Sequence, residues 1–218
     1  MVEPQAKAKI KAAPARPAAR DQLLDAASAL MTERETIDVP LAEIAARAEV
    51  NVALVSYYFG GKEGLLLALA KRNATEALAQ LDRLLALDID PVEKFQRHLA
   101  GVIWTFFRYP YLNRLLHSLM RDASTEASKE IAEFFAAPLA RAATGLIREA
   151  QAAGLMRVED PMLFYFAALG ACEQIFVNQA NLKYVYGVDE ISDDLRRHYT
   201  NVVLDTFMNG CLTERNGA

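Results

Sequence analysis

The stretch NVALVSYYFGGKEGLL, residues 51–66, decides the fold. Asn51 is a helix-capping residue, because its side-chain oxygen can accept from the free amides of a first turn. Apolar residues follow, then Tyr57 and Tyr58 side by side, then Gly60-Gly61, a pair suited to backbone that other residues avoid. Lys62 reopens a helix that continues through Leu65, Leu66 and Leu69. Upstream, Pro40 suits a first helical position, and Leu41, Ile44, Ala45 and Ala48 recur at i, i+3, i+4 and i+7, one face of a helix. Ala48-Glu49-Val50 makes the turn between them. Two short helices, 40–47 and 51–58, joined so tightly form a helix-turn-helix. The second is too short to be stable alone in water, so its neighbours must brace it as a rigid probe.

Working outward, the same periodicity fills the rest of the chain. A first helix over about 20–34 carries Leu23, Leu24, Ala27, Leu30 and Met31 on one stripe, and a fourth over about 62–86 buries leucines at helical spacing. DIDPVEKF starts a fifth at about 91–108, which Tyr109-Pro110 ends. A sixth covers about 111–121, and a seventh about 125–153 with a kink expected at Pro138. Gly154 suits a helix stop, while Asp160 and Pro161 suit the next start. An eighth helix over about 161–184 and a ninth over about 192–210 complete an all-α chain of about nine helices, without a convincing strand or internal repeat.

The 218 residues are 53% hydrophobic, enough for a substantial core. Net charge is −4, but its distribution is uneven: residues 1–72 carry 10 basic and 9 acidic side chains, and residues 73–218 carry 14 and 19. The organisation read from this is a flexible basic arm (1–19), a helix-turn-helix unit (20–66) and a larger helical domain (67–213). Cys172 and Cys211 have no metal-ligand or CxxC spacing, and neither have His98, His117 and His198, so no metal or cofactor is expected. The longest apolar run falls short of the ~20 residues of a membrane span. The expected location is the cytoplasm, without membrane contact. Phosphate-binding GxxxxGK[ST] is absent and no nucleophile–base pairing stands out, which argues against an enzyme. A helical enzyme or a protein-binding adaptor without DNA-binding activity is the competing reading.

The probe helix offers Tyr57 and Tyr58, with Lys62 opening the next helix, as donors to phosphates; burial of both tyrosines against helices one and four is the alternative. Residues 20–69 resemble the DNA-binding domain of the TetR family of bacterial transcriptional regulators. The resemblance rests on Arg20 opening helix one, Ile44-Ala45, Ala48 and Val50 across helix two and the turn, Tyr57 and Phe59 closing the probe, and Lys62-Glu63-Gly64-Leu65 entering helix four. It implies a sequence-specific regulator of transcription, by default a repressor, acting as a homodimer on a two-fold operator in double-stranded DNA. It further implies that Val52, Ala53, Leu54 and Ser56 face base edges, that Tyr57, Tyr58 and Lys62 contact phosphates, and that Asn51 caps the helix and can reach the backbone. Arg20 belongs to the same implied DNA-binding set; Val55, Ile44 and Ala45 are implied core. Three positions depart from the pattern: Glu49 stands where a turn glycine is usual, Ser56 replaces an aromatic, and RETIDVP lacks the glycine that usually ends helix one. With no Arg, Lys or Gln on the probe, base reading would rely on apolar contact with thymine methyl groups and on DNA shape.

Towards the C-terminus, Ala167, Ala168, Gly170 and Ala171 allow close approach of another helix, and the last two helices are the expected homodimer contact. The aromatic-rich middle is expected to form a pocket for a small, largely apolar or aromatic effector. Its candidate lining is Trp104, Phe107, Tyr111, Asn113, His117, Phe134 and Glu173; a solid aromatic core is the competing arrangement.

Overall fold

The computed structural model describes residues 18–121 and 125–209. Residues 1–17 of the expected arm, and Cys211, lie outside them. The described residues form eleven α-helices and one π-helical turn, with no strand. In order they are α1 (Ala19–Arg34), α2 (Leu41–Arg47), α3 (Ala53–Phe59), α4 (Lys62–Leu85), α5 (Pro91–Arg108), α6 (Leu112–Arg121), α7 (Thr125–Ile131), the π-turn (Ala132–Ala136), α8 (Ala137–Ala152), α9 (Pro161–Val177), α10 (Gln179–Tyr186) and α11 (Asp193–Met208).

Helix starts follow the capping chemistry of the sequence. Asp90 accepts from the Glu93 amide at 2.9 Å, Asp160 from Met162 and Leu163 at 2.8 and 3.1 Å, and Ser192 from Leu195 at 3.2 Å. Two helix ends put a residue other than glycine into left-handed backbone. Glu49 holds φ 56°, and the chain closes with Glu49 N–H on the Ala46 carbonyl and Val50 N–H on that of Ala45. Glu35 holds φ 50°, with Glu35 N–H on Thr32 and Thr36 N–H on Met31. Both are Schellman caps with a glutamate in left-handed backbone.

Two expected boundaries change. The long helix over 125–153 carries its irregularity before Pro138, as the π-turn, where the Ala137 amide bonds the Ala132 carbonyl. Proline in a regular helix clashes with the carbonyl four residues back, and the wider turn relieves that position. The expected helix over 161–184 is two helices broken at Asn178, whose φ −108° and ψ 35° leave the helical region.

Two hydrophobic cores result. The first gathers α1 to α4 around Leu23, Leu24, Ile44, Val55, Leu65 and Leu69, and it also takes in Tyr111, Leu112, Leu115 and Leu119 from the α6 region. The second joins α5, α8, α9 and α11 around Phe95, Leu99, Ile103, Ile147 and Val203. Each wholly buried leucine or isoleucine contributes about 1.5–3 kcal/mol relative to exposure. Tyr111, fully buried, stitches three segments: its hydroxyl lies 2.9 Å from that of Ser28 on α1 and accepts from the buried Asn73 amide on α4 at 3.0 Å. No described helix is long and apolar enough to cross a membrane.

Candidate nucleic-acid interface and ligand cavity

α3 is held from one side and open on the other. Val55 is wholly buried and Leu54 half-buried against the first core. Asn51 caps the helix, its Oδ1 accepting from the Ala53 amide at 2.8 Å. At the far end Gly60, at φ 74°, bonds the Ser56 carbonyl and Gly61 turns the chain into α4. The join is close: a Cβ on Gly64 would stand 1.8 Å from the Phe59 carbonyl oxygen, so only glycine fits there without movement. Arg20 on α1 completes the brace, its guanidinium 5.5 Å from the centre of the Phe59 ring.

The open face carries Asn51, Val52, Ala53, Ser56, Tyr57 and Tyr58, all exposed. Tyr57 is 78% accessible and Tyr58 40%, which rules out the arrangement with both tyrosines buried. Their rings meet edge to face with centroids 5.0 Å apart. Lys62 lies beside them at the start of α4, exposed, with Nζ 3.3 Å from Asp38 Oδ1. Leu54 alone among the residues expected to face bases turns partly into the core. Behind this face, Arg47 meets Glu33 through two N–H groups at 2.5 and 3.2 Å; that hydrogen bond holds the Glu33 carboxyl below its ordinary range. Arg34 pairs with Glu43 at 2.5 Å. The basic groups here are thus largely matched, and the side chains offered without a protein partner are mostly hydroxyl and apolar.

A second feature lies between the two cores: a cavity of about 660 Å³ walled by the six helices α4 to α9 and the π-turn, within the size range of small-molecule sites. Asn113, His117 and Glu173, three of the candidate lining residues, are on its wall. Asn113 donates to the Glu173 carboxylate, and His117 Nε2 stands 3.5 Å from it. Four expected residues point elsewhere. Tyr111 is consumed by the network with Ser28 and Asn73. Phe107 packs on the second core with the Arg196 guanidinium 5.6 Å above its ring. Trp104 and Phe134 turn outward, Phe134 with the Lys71 ammonium over its face at 5.7 Å. Their neighbours Phe106 and Phe135 line the cavity instead, with Tyr165 and Phe166 from α9. One residue is about 100° of helix rotation, so adjacent aromatics face different ways. The α9 signal was available as Met162, Tyr165, Phe166, Leu169 and Glu173 at helical spacing, but α9 is apolar on nearly every side, which hides the stripe.

His98 backs the cavity wall, its Nε2 3.1 Å from the Tyr165 hydroxyl, and burial lowers its pKa from 6.5 to about 4. Burial likewise raises the Tyr165 phenol and pushes the Cys172 thiol up to about 12, so both stay neutral. Among the described residues no group of three or more His, Cys, Asp or Glu is placed to hold a metal.

Residues 88–217 match the family model of the tetracyclin repressor-like C-terminal domain, and residues 23–69 match that of the bacterial regulatory proteins of the tetR family. The chain is 36% identical over 87 residues to the HTH-type transcriptional regulator BetI of Brucella abortus, a match covering 40% of this chain and 42% of that protein. With BetI of Brucella anthropi it shares 34% over 84 residues, covering 38% and 43%. These matches span less than half the length of the curated relatives. Among solved structures, FadR from Bacillus subtilis in complex with stearoyl-CoA superposes with a TM-score of 0.69 at 18% identity, covering 87% of this chain and 98% of that one. A TetR/AcrR-family regulator from Thermobifida fusca superposes at 0.65 with 22% identity, covering 85% and 96%. Both likenesses establish a shared fold.

Proposed function

This chain belongs to the TetR family of bacterial regulatory proteins, and on that premise we propose that it is a sequence-specific DNA-binding transcriptional regulator, a repressor released from its operator by a small, largely apolar effector. The observation that carries the proposal is α3: seven residues braced on one side, with Tyr57 standing 78% exposed on the other. An exposed aromatic costs solvation unless something covers it, and a tyrosine hydroxyl is a phosphate donor. Val52, Ala53 and Ser56 would meet base edges, while Asn51, Tyr57, Tyr58, Lys62 and Arg20 would grip the backbone. Leu54, half-turned into the core, would touch bases only at its edge. Lys62 would exchange Asp38 for a phosphate.

The protein would act in the cytoplasm as a homodimer through α9 and α11. Leu163 and Ala167 on α9 and Val202 on α11 are exposed and supply an apolar face for a second copy. A dimer would set two α3 helices on successive major grooves, ~34–36 Å apart or a multiple. The effector would bind in the cavity and bias α6. That helix turns Asn113 and His117 to the cavity, buries Leu112 and Leu115 in the first core, and lets Arg114 donate to the Glu35 carbonyl at the end of α1. An effector favouring a state with altered α6 would change the spacing of the probes, and it must bind that state more tightly than the DNA-competent one. No catalytic step is assigned to the cavity.

Selection of bound fragments from the source genome tests the reading. A recurrent two-fold sequence, bound with an affinity that falls steeply with salt, supports it; retention of no fragment at low salt refutes it.

A further inference from the structure

We propose that the cavity ligand is an amphiphilic cation, an organic ammonium with an apolar body, and that the Glu173 carboxylate is its counter-charge. This rests on the cavity being the effector site proposed above, and it follows from the charges on the wall. The lining is dominated by apolar and aromatic side chains, among them Phe106, Phe135 and Phe166. Two lining residues carry a standing charge. Arg97 is already spent: its guanidinium bonds Glu93 at 2.5 Å, one turn earlier on α5, and half its side chain lies in solvent. His98, a potential cation, is kept neutral by its own burial. Glu173 remains, with a side chain only 25% exposed and set on the same face of α9 as Met162, Tyr165, Phe166 and Leu169.

Its partners leave room for a ligand. Asn113 is neutral and fixes one carboxylate oxygen without cancelling its charge. His117 stands 3.5 Å away, outside good hydrogen-bond range, and its side chain is 64% exposed, so it can turn to solvent and yield its place. A half-buried carboxylate facing an apolar space favours a cation over a neutral or anionic guest, and aromatic faces attract the same charge. A carboxylate or phosphate head group would meet like charge at Glu173 and no free cation on the described wall.

Calorimetric titration of the full-length protein with decyltrimethylammonium, decanol and decanoate, each below its micellar concentration, separates head-group charge from chain length. The expected ranking puts the ammonium first, by roughly tenfold or more. Glu173→Gln, which keeps the size and an acceptor for Asn113, should remove the advantage of the ammonium over decanol and decanoate. Binding of the ammonium no tighter than decanoate or decanol, a preference that survives E173Q, or no binding of any of the three overturns the proposal. Should the variant not fold, the wild-type ranking alone decides. The same samples carried into DNA-fragment selection keep the two readings apart: cation binding without DNA binding sinks the regulator, and DNA binding without cation preference sinks only the ligand class.

Discussion

Two glutamates sit where backbone geometry asks for glycine. Glu49 at φ 56° and Glu35 at φ 50° each carry a left-handed penalty of roughly 1–2 kcal/mol, partly offset because glycine has more freedom to lose on folding. Glu49→Gly should therefore stabilise the protein by up to about 1 kcal/mol, seen as a rise in the midpoint of urea unfolding with an unchanged slope. No gain would mean that the turn relaxes around the glutamate at no cost. The sequence raised this question itself, since Glu49 stands out against the family pattern, but only coordinates could say that the chain keeps the turn and bears the strain. His98 makes a second prediction. Its folded pKa of about 4 lies below the ordinary 6.5, so on acidification the unfolded chain takes the proton first. The stabilisation is complete above pH 6.5, drains away between 6.5 and 4, and amounts to about 3 kcal/mol in all. Urea melts at pH 7, 5.5 and 4 should show this loss in the wild type and a smaller one in His98→Gln, the difference isolating the imidazole from other acid-sensitive pairs such as Glu33–Arg47.

Among the elements, α3 and its junction with α4 separate stability from recognition. Tyr57→Ala removes a ring that touches little but its neighbour Tyr58. Affinity for the selected DNA should fall by about tenfold while the melting temperature stays within about 2 °C. Equal binding by the variant would dismiss Tyr57 as a contact. Gly64→Ala should do the reverse first: a methyl group placed on the Phe59 carbonyl forces α3 and α4 apart, costing about 1–3 kcal/mol by urea melts and weakening DNA binding as a consequence. The helices themselves were largely legible because caps and apolar periodicity agree at Asp90, Asp160 and Pro161. What escaped was rotation and interruption. Phe106 and Phe107 look alike in sequence, as do Phe134 and Phe135, and a π-turn shifts the phase of everything around it. The break at Asn178 has no proline or glycine to announce it. The open face of α3 was readable because Val55 and Ile44 fixed its inner side, whereas the cavity depends on six helices meeting and has no contiguous signature.

For the whole molecule, the proposed dimer makes a prediction that the single chain does not. Ala167 is exposed on α9, so Ala167→Arg should leave the fold intact yet place paired positive charges within a helix-to-helix contact. Light scattering should then report a monomer, and affinity for a two-fold site should fall by at least roughly a hundredfold, because one grip replaces two. A dimer that persists would move the contact elsewhere. Finally, the buried Tyr111 hydroxyl, shared between Ser28 and Asn73 and flanked by Leu112 and Leu115 in the first core, bears on engineering. The N-terminal reader is not a detachable cassette. A gene cut after residue 66, or a hybrid that grafts residues 20–66 onto a foreign sensor, would strip a floor from beneath its own hydrophobic centre; a transplant has to bring α4 and α6 along, and any new sensor must be spliced in behind them.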